Sequence, residues 1–506
     1  MREISAALVL LAYIGLCVIC WLRYRRRQNF SAPVSIITAD TVLVAYASQT
    51  GRAEQLAHRT AEQLREAGLR AEVLPMQQVK AQHLQDVQQA LFVVSTYGEG
   101  EAPDNGASFN RRFLTANIEL NLSHLRIGIL ALGDSDYRHF CGFGHALAQG
   151  LHRLGAHALF DLVEVDKQDA SALRHWQYYL GQLTGKSHFA DWTPASYSTW
   201  HLQSRECLNP GSTANPAFHL RLVPASGSIE AEQWQAGDIA EIGPCNSPTA
   251  VKNFLHELGL DGQTPATGDA LPLEQVLMRR SLADDPGLLN LYRAMSAEEL
   301  VKHLPELPHR EYSIASLPQD GTLDLLVRQV QLGENRLGLG SGWLTAYAQT
   351  GDDIALRLRT NPRFHSPRDD RPMILIGNGT GLAGLRAHLR ARIRAGHLRN
   401  WLLFGERTLV NDFFFADEIL AWKKQGYLEH LDLAFSRDQG ERRYVQHLLL
   451  EKRDLVRQWV QDGAAIYVCG SLEGMAQGVD EALTSILGEE TLESLSDSDG
   501  YCRDVY

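Results

Sequence analysis

The run Val42-Leu43-Val44-Ala45-Tyr46, followed by Ser48-Gln49-Thr50-Gly51, decides the fold of the first half of the chain. The apolar residues predict a short buried strand, and the hydroxyl-rich tetrad breaks it. Residues 53–67 then show helical periodicity. Such a loop at a helix N-terminus offers donors to a phosphate, assisted by the helix dipole. Ordinary helix capping by Ser48 or Thr50 is the alternative, and the lack of a following G-K-[ST] argues against a Walker A loop.

The same strand-to-loop pattern occurs twice more. Leu91-Phe92-Val93-Val94 leads into a loop at residues 95–105, and residues 127–132 lead into a loop at residues 133–141. Buried parallel strands end at one edge of a sheet, so we expect the three loops to meet where doubly wound folds bind ligands. Tyr97 and Tyr137 then supply aromatic faces for a planar ring, and the glycines let the backbone approach its edge.

The second half of the chain begins with predicted antiparallel strands at residues 218–223, 238–242 and 323–330. Among and after them lie Arg310-Glu311-Tyr312-Ser313 and a glycine-rich turn at residues 338–344. A glycine-rich turn before a helix suits a pyrophosphate. Either motif alone is equally compatible with an ordinary turn, so their order along the chain carries the interpretation.

A further buried strand is predicted from Pro372 to Ile376, and it runs into Gly377-Asn378-Gly379-Thr380-Gly381-Leu382-Ala383-Gly384. This stretch is not a G-x-G-x-x-G fingerprint, because Leu382 takes the place of the last glycine. A lone glycine-rich strand-to-helix turn is a weak signal for a nucleotide site. The motifs closer to the C-terminus strengthen that interpretation.

Hydroxyl and guanidinium groups cluster further on, at residues 434–438 and 442–446. These are the donors that a ribose 2′-phosphate requires, and they favour NADPH over NADH. A solvated basic surface is the alternative. Tyr467-Val468-Cys469-Gly470 and Asp504-Val505-Tyr506 complete the ordered set of motifs.

This ordered set resembles the diflavin reductase family, in which a flavodoxin-like FMN domain is fused to a ferredoxin–NADP reductase-type module. The sequence is similar in particular to the sulfite reductase flavoproteins and the NADPH–cytochrome reductases, from residue 40 onward. The resemblance implies an α/β multidomain fold with a flavodoxin-like doubly wound parallel sheet, an antiparallel β-barrel FAD domain and an α/β NADP-binding domain. The implied cofactors are FMN, FAD and NADPH.

The resemblance also implies which residues hold each cofactor. For FMN these are Ser48, Gln49, Thr50, Gly51, Arg52, Ala53, Ser95, Thr96, Tyr97, Gly98, Gly100, Leu132, Gly133, Asp134, Tyr137, Phe140 and Cys141. For FAD they are Arg310, Tyr312, Ser313, Gly338, Gly340, Ser341 and Tyr506. For NADPH they are Gly379, Thr380, Gly381, Ser436, Arg437, Arg442, Tyr444, Gln446 and Cys469.

The implied catalytic residues are Ser313, Cys469, Asp504 and Tyr506, with Tyr506 covering the flavin where nicotinamide enters. The alternatives are a buried structural cysteine for Cys469 and a frayed terminus for Tyr506. Three residues depart from those usual in the family, namely Arg52, Asn378 and Gly384.

Composition sets outer limits on these predictions. A chain of 506 residues is expected to hold about three domains, because a single core rarely grows past roughly 300 residues. The net charge of −12 argues against nucleic acid as a partner and favours a basic redox protein. The 7 cysteines are too few and too scattered for a disulfide framework, and no histidine–cysteine spacing predicts a metal site.

The N-terminal segment predicts a membrane anchor. Ile4 to Leu22 is an almost unbroken apolar run, and Arg23-Tyr24-Arg25-Arg26-Arg27 follows it at once. Basic residues on this flank predict a single-pass helix in a bacterial-type inner (plasma) membrane, with the catalytic domains cytoplasmic. A cleaved or peripheral segment is the alternative. The predicted domains are 1–27 anchor, 28–39 tether, 40–185 FMN domain, 186–215 linker, 216–370 FAD domain with a short insertion at about 246–308, and 371–506 NADPH domain.

From these features we expect a membrane-anchored NADPH-dependent diflavin reductase. Electrons would pass from NADPH to FAD, to FMN and then to a one-electron acceptor, either a membrane haemoprotein or a ferric-siderophore reduction system. The alternative enzyme is the flavoprotein component of an assimilatory NADPH–sulfite reductase. A non-catalytic flavin-binding redox sensor is a third possibility, and it would predict a disrupted hydride site, whereas Ser313, Cys469 and Asp504 are all present.

Overall fold

The computed structural model describes residues 38–48, 51–97, 100–115, 120–135, 139–167, 169–185, 192, 197–229, 232–266, 271–283, 285–333, 336–438, 440, 442–498 and 500–506. By its contacts the chain divides into two compact units, one ending at Lys167 and the other running from Gln168 to Tyr506. Four residues of the predicted FMN site lie outside the described residues, namely Gln49, Thr50, Gly98 and Tyr137.

The predicted inner-membrane localisation is corrected by the structure. Across the described residues, no helix is both long and apolar enough to cross a bilayer. The longest described helices, Arg52–Glu66 and Ala170–Thr184, have 15 residues each, whereas a spanning helix needs about 20. The apolar run at residues 4–22, which suggested the anchor, lies outside the described residues. The membrane localisation is therefore not retained.

The first unit is a parallel sheet with helices packed against it. Its strands are β1 Thr41–Ala47, β2 Arg70–Pro75, β3 Gln89–Ser95, β4 Arg126–Gly133, β5 His157–Ala158 and β6 Val163–Asp166. The order is β2-β1-β3-β4-β5, with β6 also paired to β4, and every pairing is parallel. Long runs of buried residues in β3 and β4 explain this, since parallel strands are covered on both faces. The prediction of a doubly wound flavodoxin-like sheet is confirmed.

Four α-helices in the described part of the first unit pack on this sheet. They are α1 Arg52–Glu66, α2 Ala81–Asp86, α3 Asp104–Phe109 and α4 Gly142–Arg153. Phe92 of β3, Phe109 of α3 and Phe143 of α4 belong to one buried cluster. Because β1, β3 and β4 are parallel neighbours, they end at the same edge of the sheet, as the sequence predicts.

The second unit begins with helix α5, Ala170–Thr184, and an antiparallel sheet. The sheet strands are β7 Ser198–Cys207, β8 Ala217–Pro224, β9 Ile239–Gly243, β10 Arg310–Ser313, β11 Leu323–Arg328 and β14 Asp353–Arg359, in the order β10-β9-β14-β7-β8-β11. A small ribbon, β12 Gln331–Gly333 and β13 Arg336–Leu337, precedes the glycine-rich turn, which forms the short helix α10 Leu339–Gly342. Trp200, Trp234 and Trp343 lie in the core of this sheet.

Four helices lie between β9 and β10. They are α6 Pro248–Leu258, α7 Leu273–Leu277, α8 Pro286–Tyr292 and α9 Ala297–His303. Their apolar residues, including Phe254, Leu277 and Leu300, form a cluster distinct from the core of the antiparallel sheet. The helical insertion that the sequence predicts at about 246–308 is thus a small packed subdomain.

The chain then forms a second parallel sheet, also within the second unit. Its strands are β15 Met373–Asn378, β16 Asn400–Glu406, β17 His430–Phe435, β18 Ala465–Gly470 and β19 Tyr501–Val505, in the order β17-β16-β15-β18-β19. Its helices are α11 Leu382–Arg394, α12 Leu409–Asp412, α13 Ala416–Lys424, α14 Val445–Glu451, α15 Arg453–Gln461, α16 Gln477–Leu487 and α17 Glu489–Asp497. All six residues of β18 are buried. The predicted α/β nucleotide-binding fold is confirmed.

Gly237 supports the antiparallel sheet through a close approach of two backbone segments. Its φ is +100°, and a Cβ at this position would lie 2.1 Å from the carbonyl oxygen of Phe364. Gly351 has a similar φ of +96°, but a Cβ there would meet nothing within 4 Å. Replacing either glycine would place a side chain on a left-handed backbone, but only at Gly237 would the added Cβ also clash with another segment.

Gly237→Ala is expected to lower the thermal midpoint of the second unit far more than Gly351→Ala. The control substitution carries only the cost of a left-handed φ, about 1–2 kcal/mol, whereas Gly237→Ala also forces two backbone segments apart. Calorimetry or circular dichroism on both variants makes the comparison. Equal shifts in the two variants would show that the contact with Phe364 contributes nothing.

Candidate functional site

The first loop of the parallel sheet in the first unit is organised by Ser48. Its Oγ accepts hydrogen bonds from the backbone N–H of Gly51 at 3.0 Å and of Ala53 at 3.2 Å. Ser48 therefore holds two backbone N–H groups at the start of α1, whose N-cap residue is Gly51. Next to it, Nε of Arg52 is buried and has no hydrogen-bond partner among the described residues. An unpaired guanidinium N–H at a helix N-terminus fits an anion such as a phosphate.

The second and third loops meet in the same place. The N–H of Thr96 donates to the carbonyl oxygen of Leu132 at 2.9 Å, and Oγ1 of Thr96 accepts from the N–H of Phe143 at 3.4 Å. Two backbone hydrogen bonds between Tyr97 and Glu101 close the turn between them. Tyr97 is left 52% exposed. An exposed tyrosine and an unpaired guanidinium N–H thus follow strands that end at the same sheet edge.

The remaining predicted residues of this edge mostly pack the loops. Cys141 and Leu132 are buried, and the thiol of Cys141 donates to the carbonyl oxygen of Ala131 at 3.3 Å. Ser95 donates to the carbonyl oxygen of Ala47 at 3.3 Å. The half-buried members are Gly100, Gly133, Asp134 and Phe140.

In the second unit, three of the predicted catalytic residues come together. Cys469 of β18 and Asp504 of β19 are direct partners in the parallel register of their strands. Ser313, at the end of β10, donates its hydroxyl to Oδ2 of Asp504 at 2.7 Å. The thiol of Cys469 donates to the same oxygen at 3.7 Å. A single carboxylate oxygen therefore holds both side chains.

The surroundings decide the protonation of this group. Burial raises the pKa of Asp504, while the hydrogen bond from the hydroxyl of Ser313 lowers it. Burial and the nearby Asp504 carboxylate raise the pKa of Cys469 well above its usual value. Cys469 is accordingly a neutral thiol, which suits it to hydrogen bonding and not to nucleophilic attack.

The glycine-rich loop at residues 377–384, called the nucleotide loop below, lies directly against this group. A Cβ on Gly381 would lie 2.1 Å from the carbonyl oxygen of Cys469, so only glycine fits there. Tyr506 is anchored at its N–H, which donates to the carbonyl oxygen of Gly470 at 3.0 Å. Its hydroxyl lies 3.1 Å from Oγ1 of Thr380, and the residue is 41% exposed. Tyr506 thus contacts the end of β18 and the nucleotide loop, and its role over the flavin stays a prediction.

The glycine-rich turn packs on the strand that carries Ser313. A Cβ on Gly340 would lie 2.6 Å from both Cγ of Arg310 and the hydroxyl oxygen of Tyr312. Burial raises the pKa of Tyr312 above its usual value. Ser341 stabilises the turn by accepting a hydrogen bond from the N–H of Val330 at 3.1 Å. The two motifs are thus in contact, and the FAD site that the sequence predicts for them stays a prediction.

The predicted 2′-phosphate residues follow β17 and begin α14. The N–H of Ser436 donates to the carbonyl oxygen of Glu406 at 2.9 Å, which ties this loop to the end of β16. The side chains of Arg437, Arg442 and Tyr444 are exposed and available to a ligand. Gln446 differs from the expectation, because its amide packs against Gly478, where a Cβ would lie 2.8 Å from Nε2.

Sequence reasoning missed two contacts beside the nucleotide loop. Oδ1 of Asn378 accepts from the N–H of Ser471 at 2.9 Å, which joins the ends of β15 and β18. Arg328 of β11 forms an ion pair with Glu406 of β16. Nothing in a single sequence predicts the contact between Asn378 and Ser471. Glu406 could have been recognised, because an acid at the end of the second strand of a nucleotide-binding sheet is a known signal.

Comparisons with known proteins agree with this geometry. The family model described as Flavodoxin matches residues 44–176, and the model described as Oxidoreductase NAD-binding domain matches residues 375–481. The NADPH sulfite reductase flavoprotein alpha-component of Vibrio cholerae serotype O1 (strain El Tor Inaba N16961) is 31% identical over 541 residues, which cover 92% of this chain and 87% of the relative. The same component of Bacillus subtilis (strain 168) is 32% identical over 545 residues, covering 94% and 89%.

Replacing Asp504 should change how stability depends on pH. A carboxyl whose pKa is raised in the folded state holds its proton where the unfolded chain has released it, so folding loses stability as pH rises through that interval. Asp504→Asn removes this loss, and the variant should therefore gain stability relative to the parent above about pH 4. Thermal midpoints at a series of pH values measure the difference.

Asp417→Asn serves as the matched control, since Asp417 is exposed in the first turn of α13. A stability difference between Asp504→Asn and the parent that is independent of pH would contradict the raised pKa.

Proposed function

Because the chain belongs to the diflavin reductase family, as a flavoprotein of the sulfite reductase type, we propose that it passes electrons from NADPH through FAD and FMN to an acceptor protein. It is an NADPH-dependent flavoprotein oxidoreductase whose cofactors are FMN, FAD and NADPH. When bound, FAD accepts a hydride and FMN passes electrons on singly. The observation that carries the proposal is the convergence of Ser313, Cys469 and Asp504 beside the nucleotide loop.

At the proposed hydride site, the protein supplies orientation and charge balance. Asp504 fixes the hydroxyl of Ser313 and the thiol of Cys469 on one oxygen. Both groups are then held in place before substrate arrives, which is how an enzyme reduces the reorganisation needed for reaction. Tyr506 lies over the loop and would cover the flavin face until nicotinamide displaces it.

The proposed FAD site uses the contact between β10 and the glycine-rich turn. Arg310 would pair with the pyrophosphate, and Tyr312 would stack on the ring system. Gly338, Gly340 and Ser341 would bring backbone N–H groups to the phosphates. The close approach of Gly340 to both Arg310 and Tyr312 supports this, because any larger residue would fill the space.

The proposed NADPH site extends from the glycine-rich loop to the donors after β17. Gly379, Thr380 and Gly381 would hold the pyrophosphate. Ser436, Arg437, Arg442 and Tyr444 would bind the 2′-phosphate, and the exposure of both arginines supports that role. Gln446, which packs inward, would support the loop from beneath.

The proposed FMN site is the carboxyl edge of the first sheet. The loop at Ser48 and Arg52 would hold the phosphate, and the unpaired Nε of Arg52 supports this assignment. Tyr97 would cover one face of the isoalloxazine, and its exposed ring is consistent with such a role. Tyr137, proposed for the other face, lies outside the described residues.

The acceptor is a one-electron redox protein. The sequence suggested a membrane haemoprotein or a ferric-siderophore system, with sulfite reductase as the alternative. The relatives named above are components of NADPH sulfite reductases and cover most of this chain, which supports the alternative over the first suggestion. We therefore propose the other component of a sulfite reductase as the acceptor.

The decisive experiment measures flavins and electron transfer on the purified chain. Extraction should give FMN and FAD in about equal amounts, and anaerobic NADPH should bleach both. Selective removal of FMN should leave FAD reducible by NADPH while abolishing transfer to an acceptor protein. FAD alone, or flavins that NADPH does not reduce, would refute the relay.

The acceptor is tested separately with the other component of a sulfite reductase and with cytochrome c. Sulfite-dependent oxidation of NADPH supports the proposed acceptor. Reduction of cytochrome c without any sulfite-dependent oxidation of NADPH would refute the proposed acceptor and leave the proposed electron relay standing.

Deleting Tyr506 should raise kcat/KM for NADH relative to NADPH, because NADH lacks the 2′-phosphate and so has less binding energy with which to displace the ring from the flavin face. Tyr506→Phe is the matched control: it keeps the ring and loses only the contact with Thr380. We expect the control to retain the parent preference. An unchanged preference in the deletion variant would count against the gating role.

A further inference from the structure

The second strand of the nucleotide-binding sheet ends on a buried acid. Glu406 is the last residue of β16, and its side chain is only 7% exposed. Its Oε1 accepts a hydrogen bond from NH2 of Arg328, and its Oε2 accepts one from the N–H of Arg407 at 2.7 Å. Arg328 is itself fixed, because NH1 donates to the carbonyl oxygen of Asn215 at 3.0 Å. Its guanidinium also lies 5.6 Å from the centroid of the Phe414 ring.

This ion pair lies against the glycine-rich loop. A Cβ placed on Gly379 would be 3.6 Å from Oε1 of Glu406 and 3.7 Å from NH2 of Arg328. The parallel pairing of Asn378 with Gly405 brings the ends of β15 and β16 together. An incoming dinucleotide at this loop would therefore meet the pair directly.

The pair also lies at the base of the proposed 2′-phosphate loop. The carbonyl oxygen of Glu406 accepts from the N–H of Ser436, and that of Arg407 accepts from the N–H of Arg437 at 2.8 Å. The end of β16 thus holds the backbone of the residues that would bind the phosphate. Any change in charge at Glu406 would act at short range on that position.

An acid at the end of the second strand normally favours the other nucleotide. In dinucleotide-binding sheets such an acid accepts hydrogen bonds from the ribose hydroxyl of NADH. A bare carboxylate in this position would repel a 2′-phosphate, since like charges placed together are strongly unfavourable. In this chain Glu406 is an acid of the kind that favours NADH, and it lies next to the residues proposed to bind the 2′-phosphate of NADPH. Arg328 forms an ion pair with Glu406 and so offsets its charge.

Burial makes the carboxylate dependent on its partner. Burial raises the pKa of Glu406, whereas the guanidinium of Arg328 and the N–H of Arg407 act in the opposite direction. Asp412 is the further acid that acts on it, and it raises the pKa as well. The charge of Arg407 also lowers the pKa of Glu406, but Arg328 is the cation whose side chain is hydrogen-bonded to its carboxylate.

We propose that the Arg328–Glu406 pair determines nucleotide specificity. Arg328 neutralises Glu406 and holds it off the ribose, so that the end of β16 tolerates a 2′-phosphate. The inference rests on the proposed NADPH site. It adds two residues, one from the antiparallel sheet and one from the nucleotide-binding sheet, that need not touch the 2′-phosphate to select it.

Binding of 2′,5′-ADP and 5′-AMP to the flavin-loaded full chain tests the proposal. These probes differ only in the 2′-phosphate and lack the pyrophosphate, so any direct contact of Arg328 with a pyrophosphate does not contribute. Titration calorimetry at about pH 8.5 keeps the 2′-phosphate a dianion. Arg328→Gln should weaken 2′,5′-ADP about tenfold or more relative to 5′-AMP, because the guanidinium no longer offsets the negative charge of Glu406 beside the phosphate.

Two further variants separate this effect from a structural one. Glu406→Gln removes the acid and should keep or raise the preference for 2′,5′-ADP. The double variant Arg328→Gln/Glu406→Gln should restore the parent preference. Equal weakening of both probes by Arg328→Gln, a lost preference in Glu406→Gln, or no restoration in the double variant would each overturn the proposal.

A separate variant tests the proposed NADPH site. Arg437→Ala should weaken 2′,5′-ADP and leave 5′-AMP unaffected. If Arg437→Ala leaves both probes unchanged, the assignment of the 2′-phosphate loop fails. If Arg437→Ala behaves as expected and the Arg328 and Glu406 variants do not, only the specificity role of the ion pair fails.

Discussion

The hydride site depends on the pairing of β18 with β19. That register sets Cys469 beside Asp504, and Asp504 in turn holds Ser313, a residue 191 positions away in sequence. The antiparallel sheet and the nucleotide-binding sheet are thereby joined at one carboxylate oxygen. Because water is largely excluded there, each hydrogen bond on that oxygen is worth more than it would be at the surface. The relative positions of Ser313, Cys469 and Asp504 therefore depend on this one strand pairing.

The strands that form the site were predictable because their signals are local. The run at residues 127–132 predicts β4, which extends only one residue further at each end. The antiparallel strand predicted at 323–330 ends at Arg328, where the chain turns into the β12–β13 ribbon. The glycine-rich loops were also recognisable, because close backbone approach excludes other residues.

The details that escaped prediction are tertiary. Nothing local to Gln446 shows that its amide packs against Gly478, and Arg328 and Glu406 meet across 78 positions of sequence. The competition between a cap and a ligand donor at Ser48 also needed coordinates, since both roles use the same side chain. The membrane prediction failed for a different reason, because it rested on one apolar run and the described helices offer no span.

The antiparallel sheet also shows how charge is tolerated inside this protein. Glu241 and Glu311 are direct cross-strand partners on β9 and β10, an arrangement that repels. Arg359 lies between them, with NH2 at 3.0 Å from Glu311, and Arg174 of α5 reaches Glu241 at 3.2 Å. Burial and Glu311 still raise the pKa of Glu241 to about 7. Helix α5 is thus tied to this sheet by ion pairs as well as by packing.

The helices between β9 and β10 form a segment whose length can change without disturbing the sheet. Arg310 pairs with Ile242, so the chain leaves the sheet at Gly243 and returns to its neighbouring strand after a detour with its own apolar core. Such a detour can lengthen or shrink across generations without disturbing the strands on either side, because its ends are already fixed together. We therefore expect this segment to tolerate insertions and deletions, and a reporter or affinity handle could be grafted there.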